Sequence, residues 1–288
     1  MNDITMIGHI SRDIMIYKSD EVRLTGGPVI YSSAAASRSG KKIQVITSAS
    51  LDADKELDGM RTNGVDVIRL DSTATTSIEN IYFSADKEKR KVTLLSQADP
   101  FTIESLPETD STIYHLAGLF RGEIPDNFIP YLAEKGKVGI DVQGLLRCSE
   151  EGKLLFKDWD SKKELLPKIT YLKTDAAEAE ILTGETDREK AAYILASWGA
   201  EEVMVTHNTE VIVLVDGKIY KAPFAPANLS GRTGRGDTTF AAYLAWRLDH
   251  DPEESVRYAA ALCSIKMESP GPFSGTIENV KARMVKDR

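Results

Sequence analysis

Short apolar runs alternate with segments of helical period along most of this chain, and that alternation restricts the fold more than any single motif does. Residues 4–8, 43–47 and 65–70 read as buried strands. Between them lie a helix from Pro28 through Ala36 and a shorter one at 54–63 that ends at Gly64. Strand, helix, strand, helix, strand predicts a parallel sheet, because parallel neighbours need a long crossover and a helix supplies it. The rhythm resumes with strands at 112–116, 138–142, 169–173 and 202–206 and a hairpin at 211–215 and 218–221. Two closing helices follow, the second beginning at Asp251-Pro252 with Val256, Ala260, Cys263 and Met267 on one face. Two stretches break the pattern. Residues 13–17 with 21–24, and 75–84 with 91–96, alternate polar and apolar side chains as hairpins do. The expectation is an α/β fold, one doubly wound domain over residues 1–288, with a small β-hairpin lid drawn from about residues 12–25 and 74–97.

Composition narrows the function classes. The chain has 288 residues, 42% hydrophobic and 28% charged, enough for a substantial core, and a formal net charge of −8. That charge argues against a nucleic-acid partner, and the basic run at 87–91 reads as a solvated hairpin tip. No apolar stretch is long enough to span a membrane, and the first residues carry neither the basic start nor the apolar run of a signal peptide. Cys148 and Cys263 are too few for a disulfide framework or a cysteine zinc site, and His115 and His250 lack metal-ligand spacing and read as structural or exposed. A cytoplasmic protein is expected, which makes the adhesion tripeptide Arg235-Gly236-Asp237 a coincidence.

The strongest local signal is Ser-Gly-Arg-Thr-Gly-Arg-Gly-Asp-Thr-Thr-Phe at 230–240. Its glycines permit a tight turn. Asp237 ends that turn and opens a helix marked by Phe240, Leu244 and Leu248. A glycine turn feeding a helix N-terminus is suited to an anion, through unpaired N–H groups and the helix dipole. A carboxylate there suggests a base taking a proton from a hydroxyl beside a phosphoryl group. The competing reading is a surface loop with Asp237 as an N-cap. Ligands of doubly wound sheets bind beyond the carboxyl ends of the strands, where Gly8, Asp141, Lys173, Thr206 and the turn before Asp237 are expected.

Three elements in order resemble the ribokinase-like (PfkB-type) carbohydrate kinases. Residues 233–240 look like the family's Thr-Gly-Ala-Gly-Asp-x-Phe signature, Gly26-Gly27 before a small-residue helix is similar to its N-terminal signature, and 173–178 corresponds to its Asn-x-x-Glu motif. Gly8-His9-Ile10-Ser11-Arg12-Asp13, Thr76-Ser77-Ile78-Glu79-Asn80, Ala98-Asp99-Pro100-Phe101, Asp141-Val142-Gln143-Gly144 and residues 231–238 resemble the prokaryotic myo-inositol kinase branch. The resemblance implies a ribokinase-like three-layer α/β/α architecture and transfer of the γ-phosphoryl of ATP, with Mg²⁺, to a hydroxyl of a cyclic polyol such as myo-inositol. It makes Asp237 the base, with the N–H groups of Gly234, Arg235 and Gly236 holding the phosphoryl. Asp13, Gly26, Gly27 and Gln143 would hold the polyol, and Lys173, Asp175, Thr206, Thr233, Ser264 and Gly271 the nucleotide. Glu178 would hold Mg²⁺ through water.

Some positions depart from the family. Arg235 replaces its usual Ala, and its side chain is either a cation near the phosphates or a solvated group. Asp175 replaces Asn and adds a charge, which favours a water- or Mg²⁺-mediated contact with the phosphate over a direct one; the alternative is that Asp175 and Glu178 neutralise the dipole of a helix start. Thr206-His207-Asn208-Thr209-Glu210 stands at the family's Thr-x-Gly-x-x-Gly nucleotide loop without either glycine. A sugar or nucleoside kinase of the same family (ribose, fructose or adenosine) and a non-catalytic polyol-binding regulator remain alternatives. A nicotinamide dehydrogenase and a P-loop kinase are disfavoured because their glycine motifs are missing. Small-molecule substrates are the expected partners, on a monomer or a homodimer.

Overall fold

The computed structural model describes residues 1–83 and 90–286. The chain begins with β1 (Asn2–Ile7), β2 (Ser11–Tyr17), β3 (Asp20–Gly26), α1 (Pro28–Ser37), β4 (Ile43–Ala49), α2 (Asp58–Thr62) and β5 (Asp66–Asp71). Next come β6 (Thr76–Tyr82), β7 (Arg90–Ser96), β8 (Ser111–Leu116), α3 (Phe128–Ala133), β9 (Lys137–Asp141), α4 (Gln143–Leu146), β10 (Arg147–Glu150) and β11 (Lys153–Phe156). The last part holds α5 (Lys162–Leu165), β12 (Tyr171–Asp175), α6 (Ala176–Thr183), α7 (Arg188–Ser197), β13 (Glu202–Thr206), β14 (Glu210–Val215), β15 (Lys218–Pro223), α8 (Arg235–Arg247), α9 (Pro252–Met267) and α10 (Ile277–Lys286).

The main sheet has the order β15-β14-β13-β12-β9-β8-β1-β4-β5, parallel from β13 through β5 and antiparallel at β14 and β15. Its strands read as continuous apolar runs because helices cover both faces. Along β13, Met204 enters the core beneath α1, α8 and α9, whereas Val203 and Val205 enter the core beneath α3, α6 and α7. Two cores on opposite faces of one sheet make three layers. From β1 the chain moves through β4 to β5, then returns to β8 on the other side of β1 and runs outward. The crevice at this reversal lies over the carboxyl ends of the central strands.

A second sheet has the order β10-β11-β7-β6-β2-β3, in which the two expected hairpins meet through a parallel β2–β6 pair. Buried and half-buried residues alternate along β6, as a sheet with one covered face requires. Ile78 on β6 packs with Leu119 and Phe120 of the main body. The expected basic tip at 87–91 falls largely outside the described residues.

The structure corrects several boundaries. A third hairpin, β10–β11, extends the second sheet. It escaped the sequence reading because its strands are short and polar at half their positions. Three helices close the chain rather than two, since α10 follows the turns after α9. Residues 51–57 form a 3₁₀-helix that passes into α2, so the helix expected at 54–63 is α-helical only at its end. The strand expected at 169–173 runs from Tyr171 to Asp175, pushed two residues on by a 3₁₀ turn at Leu166–Lys168.

Candidate active site

The glycine turn and α8 form the centre of the site. Gly234 is the N-cap of α8 at φ 76, so the helix opens at Arg235 and Asp237 lies within its first turn instead of capping it. The left-handed backbone is one reason for glycine at 234. The other is the Tyr31 ring, since a Cβ at 234 would stand 2.2 Å from it. The amides of Gly236 and Asp237 lie in the first turn, where no intrahelical carbonyl is available to them. Behind them, α8 is anchored by Phe240 and Leu244, both essentially fully buried. Each such side chain contributes about 1.5–3 kcal/mol of burial, which holds the helix start in place.

Charged groups are stacked beneath this turn. Asp141, at the end of β9, and Lys173, its register partner on β12, form a buried ion pair at 2.8 Å. The Lys173 ammonium is also 3.9 Å from Glu178 and would lie 3.0 Å from a Cβ at Gly236, directly against the α8 N-terminus. Burial opposes the charge on Lys173, but Asp141 and Glu178 outweigh it and hold the ammonium above its usual range. Burial, then the charge of Asp141, pushes the Asp237 carboxyl up to about 6, against the pull of Lys173 and Lys266. His115, on β8, is buried edge-on to Phe240 with Nδ1 lacking a protein partner, and burial beside Lys173 lowers it to about 3. It is neutral and internal, not exposed.

Asp175 and Glu178 make a reciprocal cap on α6. Asp175 Oδ1 accepts from the Glu178 amide and Glu178 Oε2 accepts from the Asp175 amide, each at 2.8 Å. The helix-start role is thus present, and each carboxylate keeps one oxygen outside the cap. Burial raises the Glu178 carboxyl, with Lys173 opposing.

On the side of the second sheet, the Ser11 hydroxyl donates to Asp13 at 2.8 Å, and the Asp13 carboxylate lies against Gly26, where a Cβ would come within 2.5 Å. Gly27, at φ 97, packs on the backbone of His9 and Ile10, and a Cβ there would be 2.6 Å from the His9 carbonyl. Asp13 and Asp237 both act on the Tyr31 hydroxyl, whose pKa is raised by burial and then by these two charges. Tyr31 thus lies between the expected base and the expected polyol ligand. Gln143 begins α4 with its amide on Asp141 Oδ1 at 3.1 Å, its side chain half-buried at the same strand end.

The expected nucleotide residues divide. Thr206 is buried at the end of β13, and its hydroxyl donates to the Thr174 carbonyl at 3.4 Å. Thr233 contributes its carbonyl to the buried Lys266. Lys173 is held in the ion pair described above. Ser264 is fully buried: its hydroxyl donates to Ala260 O at 2.7 Å and accepts from Ala225 N at 3.0 Å, so the segment following β15 lies on it. Gly271, at φ 87, shapes a turn beyond α9. In the same region Arg283 of α10 reaches Ala225 O and Glu268, and Glu268 also accepts from Ala227 N. Arg235 donates to Asn208 at 2.9 Å, bridging the helix start to the loop that lacks the family glycines.

Sequence reading missed Lys266. The signal for Lys266 was its place on the apolar stripe of α9, one turn after Cys263, where a lysine is out of pattern.

The pfkB family carbohydrate kinase model matches residues 1–279. The chain belongs to this family. A solved pyrophosphate-dependent kinase in the ribokinase family, complexed with a pyrophosphate analog and myo-inositol, is 37% identical with a TM-score of 0.89, over 97% of this chain and 99% of that one. The cytidine kinase of Thermococcus kodakarensis is 25% identical over 288 residues, 96% of this chain and 100% of the relative. Arabidopsis thaliana ribokinase, complexed with ribose and ATP, shares the fold at a TM-score of 0.79 and 20% identity, over 98% of each chain. The chain is a kinase of the ribokinase family, a phosphotransferase, with the large mostly parallel sheet that this fold carries. Among the described residues no helix is long and apolar enough to cross a membrane.

Proposed function

We propose that this chain transfers a phosphoryl group to a hydroxyl of myo-inositol, and that its donor is inorganic pyrophosphate instead of ATP. The observation that carries the donor is the Arg235–Asn208 bond: a guanidinium occupies the approach to the glycine turn where the family has a small residue. The laced segment over Ser264 supports it, since a donor without a base needs no pocket there. Likeness to a pyrophosphate-dependent kinase at 37% identity along nearly the whole chain favours the same reading of donor and acceptor.

In this reaction Asp237 accepts the proton of the attacking hydroxyl. The hydroxyl oxygen forms a bond to the terminal phosphorus as the bridging P–O bond breaks, and inorganic phosphate leaves with the electron pair. The amides of Gly234, Gly236 and Asp237 and the Lys173 charge beneath the helix start face the oxygens that gain negative charge, which is where phosphoryl transfer gains most, whereas the Arg235 amide is already bonded to Arg232 O. Asp13 accepts from two neighbouring hydroxyls of the ring, and Gly26 and Gly27 leave room for it beside the backbone. Asp141, Asp175 and Glu178 gather negative charge around a single lysine, and the free oxygens of Asp175 and Glu178 fit Mg²⁺ held through water. Such an ion supplies positive charge to the donor oxygens when bound.

The test is turnover with pyrophosphate or ATP against myo-inositol, ribose, fructose, adenosine and cytidine. Phosphate release and inositol phosphate formation confined to the pyrophosphate and myo-inositol pair is expected. Turnover with ATP alone overturns the donor, and turnover with cytidine alone, in line with the 25% identical relative, overturns the acceptor.

A further inference from the structure

Lys266 is buried to 2% exposure near the end of α9, and among the described residues no carboxylate lies within ion-pair distance of it. Its ammonium donates to the carbonyls of Gly231, at 2.5 Å, and Thr233, and lies 5.2 Å from the centre of the Tyr31 ring. A buried charge held directly by carbonyls and an aromatic face, with no carboxylate in contact, is costly unless its site uses it. Those carbonyls belong to the glycine turn. In a trans peptide the C=O and N–H point in opposite directions, so drawing the Thr233 carbonyl to the ammonium aims the Gly234 N–H away from it, and the Gly231 carbonyl does the same for the Arg232 N–H. The turn is tied to α9 at two further points, Gly231 N–H to Met267 O at 2.8 Å and the Ser230 hydroxyl to Glu268 O at 2.7 Å. Lys266 is the member of this set that brings charge.

We propose that Lys266 is a positioning residue for phosphoryl transfer, a tethered cation that orients the amides of the glycine turn and sets its potential. This rests on the reading of the turn as the phosphoryl cradle. The charge also acts on Asp237, which it favours in the ionised, proton-accepting form. Tyr31 from α1, Asp237 from α8, Cys263 from its own helix and Arg232 on the turn are the titratable and charged groups that surround it. Burial brings Lys266 down to about 8 and lifts Cys263 to about 11, and Tyr31 is raised as well, so neither neighbour titrates with it.

Three measurements decide it. In Lys266→Met, which keeps the volume and removes the charge, kcat is expected to fall about 10²-fold with the acceptor KM nearly unchanged. In Lys266→Ala, added ammonium, methylammonium or potassium is expected to restore part of kcat, while the wild-type enzyme is indifferent to them. The wild-type rate is expected to decline above about pH 8, and that limb is expected to move up in Lys266→Arg, which separates it from the raised Glu178 carboxyl. Wild-type kcat in Lys266→Met, no rescue by any cation, or a flat wild-type profile through pH 9.5 each overturns the proposal. Calorimetric binding of pyrophosphate to wild type and Lys266→Met reads the cradle without turnover. Equal binding and equal rates defeat the role of Lys266, whereas a wild-type enzyme that neither binds nor uses pyrophosphate defeats the donor reading.

Discussion

Asp237 works at the boundary between two demands on one carboxylate. As the proposed base it must be ionised to take a proton, yet burial and the nearby Asp141 raise its pKa to about 6. A base with a raised pKa is competent above that value and silenced as the pH falls through it. The acid limb of kcat/KM should therefore lie near pH 6, and a limb near pH 4, the range of an unperturbed aspartate, contradicts the assignment. Asp237→Asn should lower kcat by about 10²–10⁴ while leaving pyrophosphate binding intact by calorimetry, and wild-type turnover in that variant removes Asp237 from the role. Asp141 is a separate case, because its first duty is to neutralise Lys173. Asp141→Asn leaves a buried ammonium with less compensation and should cost about 3–5 kcal/mol in chemical denaturation, whereas a loss below about 1 kcal/mol indicates that Glu178 suffices.

At the scale of elements, the start of α8 shows why the signature glycines are not interchangeable with alanine. Gly234 combines φ 76 with a face-on Tyr31 ring, so Gly234→Ala meets both backbone strain and a clash. A loss of about 1–3 kcal/mol is expected from the backbone alone, read as a lower denaturation midpoint, together with a fall in kcat. Unchanged stability and rate would mean that α1 and its tyrosine move aside freely. The α6 start behaves differently. Its capping box was readable as an acidic pair three apart, and so was its possible use in holding a cation; the structure supplies the first in full and leaves oxygens for the second. The last two strand residues of β12 and the whole of α10 were harder to read. Strand ends depend on register with β9 and β13, and α10 depends on the groove along α9 that it covers.

For the whole molecule, the proposed reaction takes recognition from the second sheet and chemistry from the main body. Asp13 belongs to the second sheet, while Asp237, Asp141 and Lys173 belong to the main body, and Tyr31 lies where the two meet. Removing an acceptor ligand on the second sheet should therefore weaken binding without disabling donor chemistry. Asp13→Ala is expected to raise the myo-inositol KM by about 10-fold or more, the value of one charge-assisted contact, and to leave slow hydrolysis of pyrophosphate unaltered. An unchanged KM would place the polyol elsewhere.

The layer order, the parallel sheet, three of the four hairpins and the glycine turn with its aspartate were legible in the sequence, because periodicity and glycine placement are local properties of a chain. What sequence alone could not determine is how distant residues share space. The Asp141–Lys173 pair, the Arg235–Asn208 bridge, the closure over Ser264 and the clamp of Lys266 on the Gly231 and Thr233 carbonyls each join segments far apart in the chain. Their energies depend on burial and distance, which only the packed layers decide.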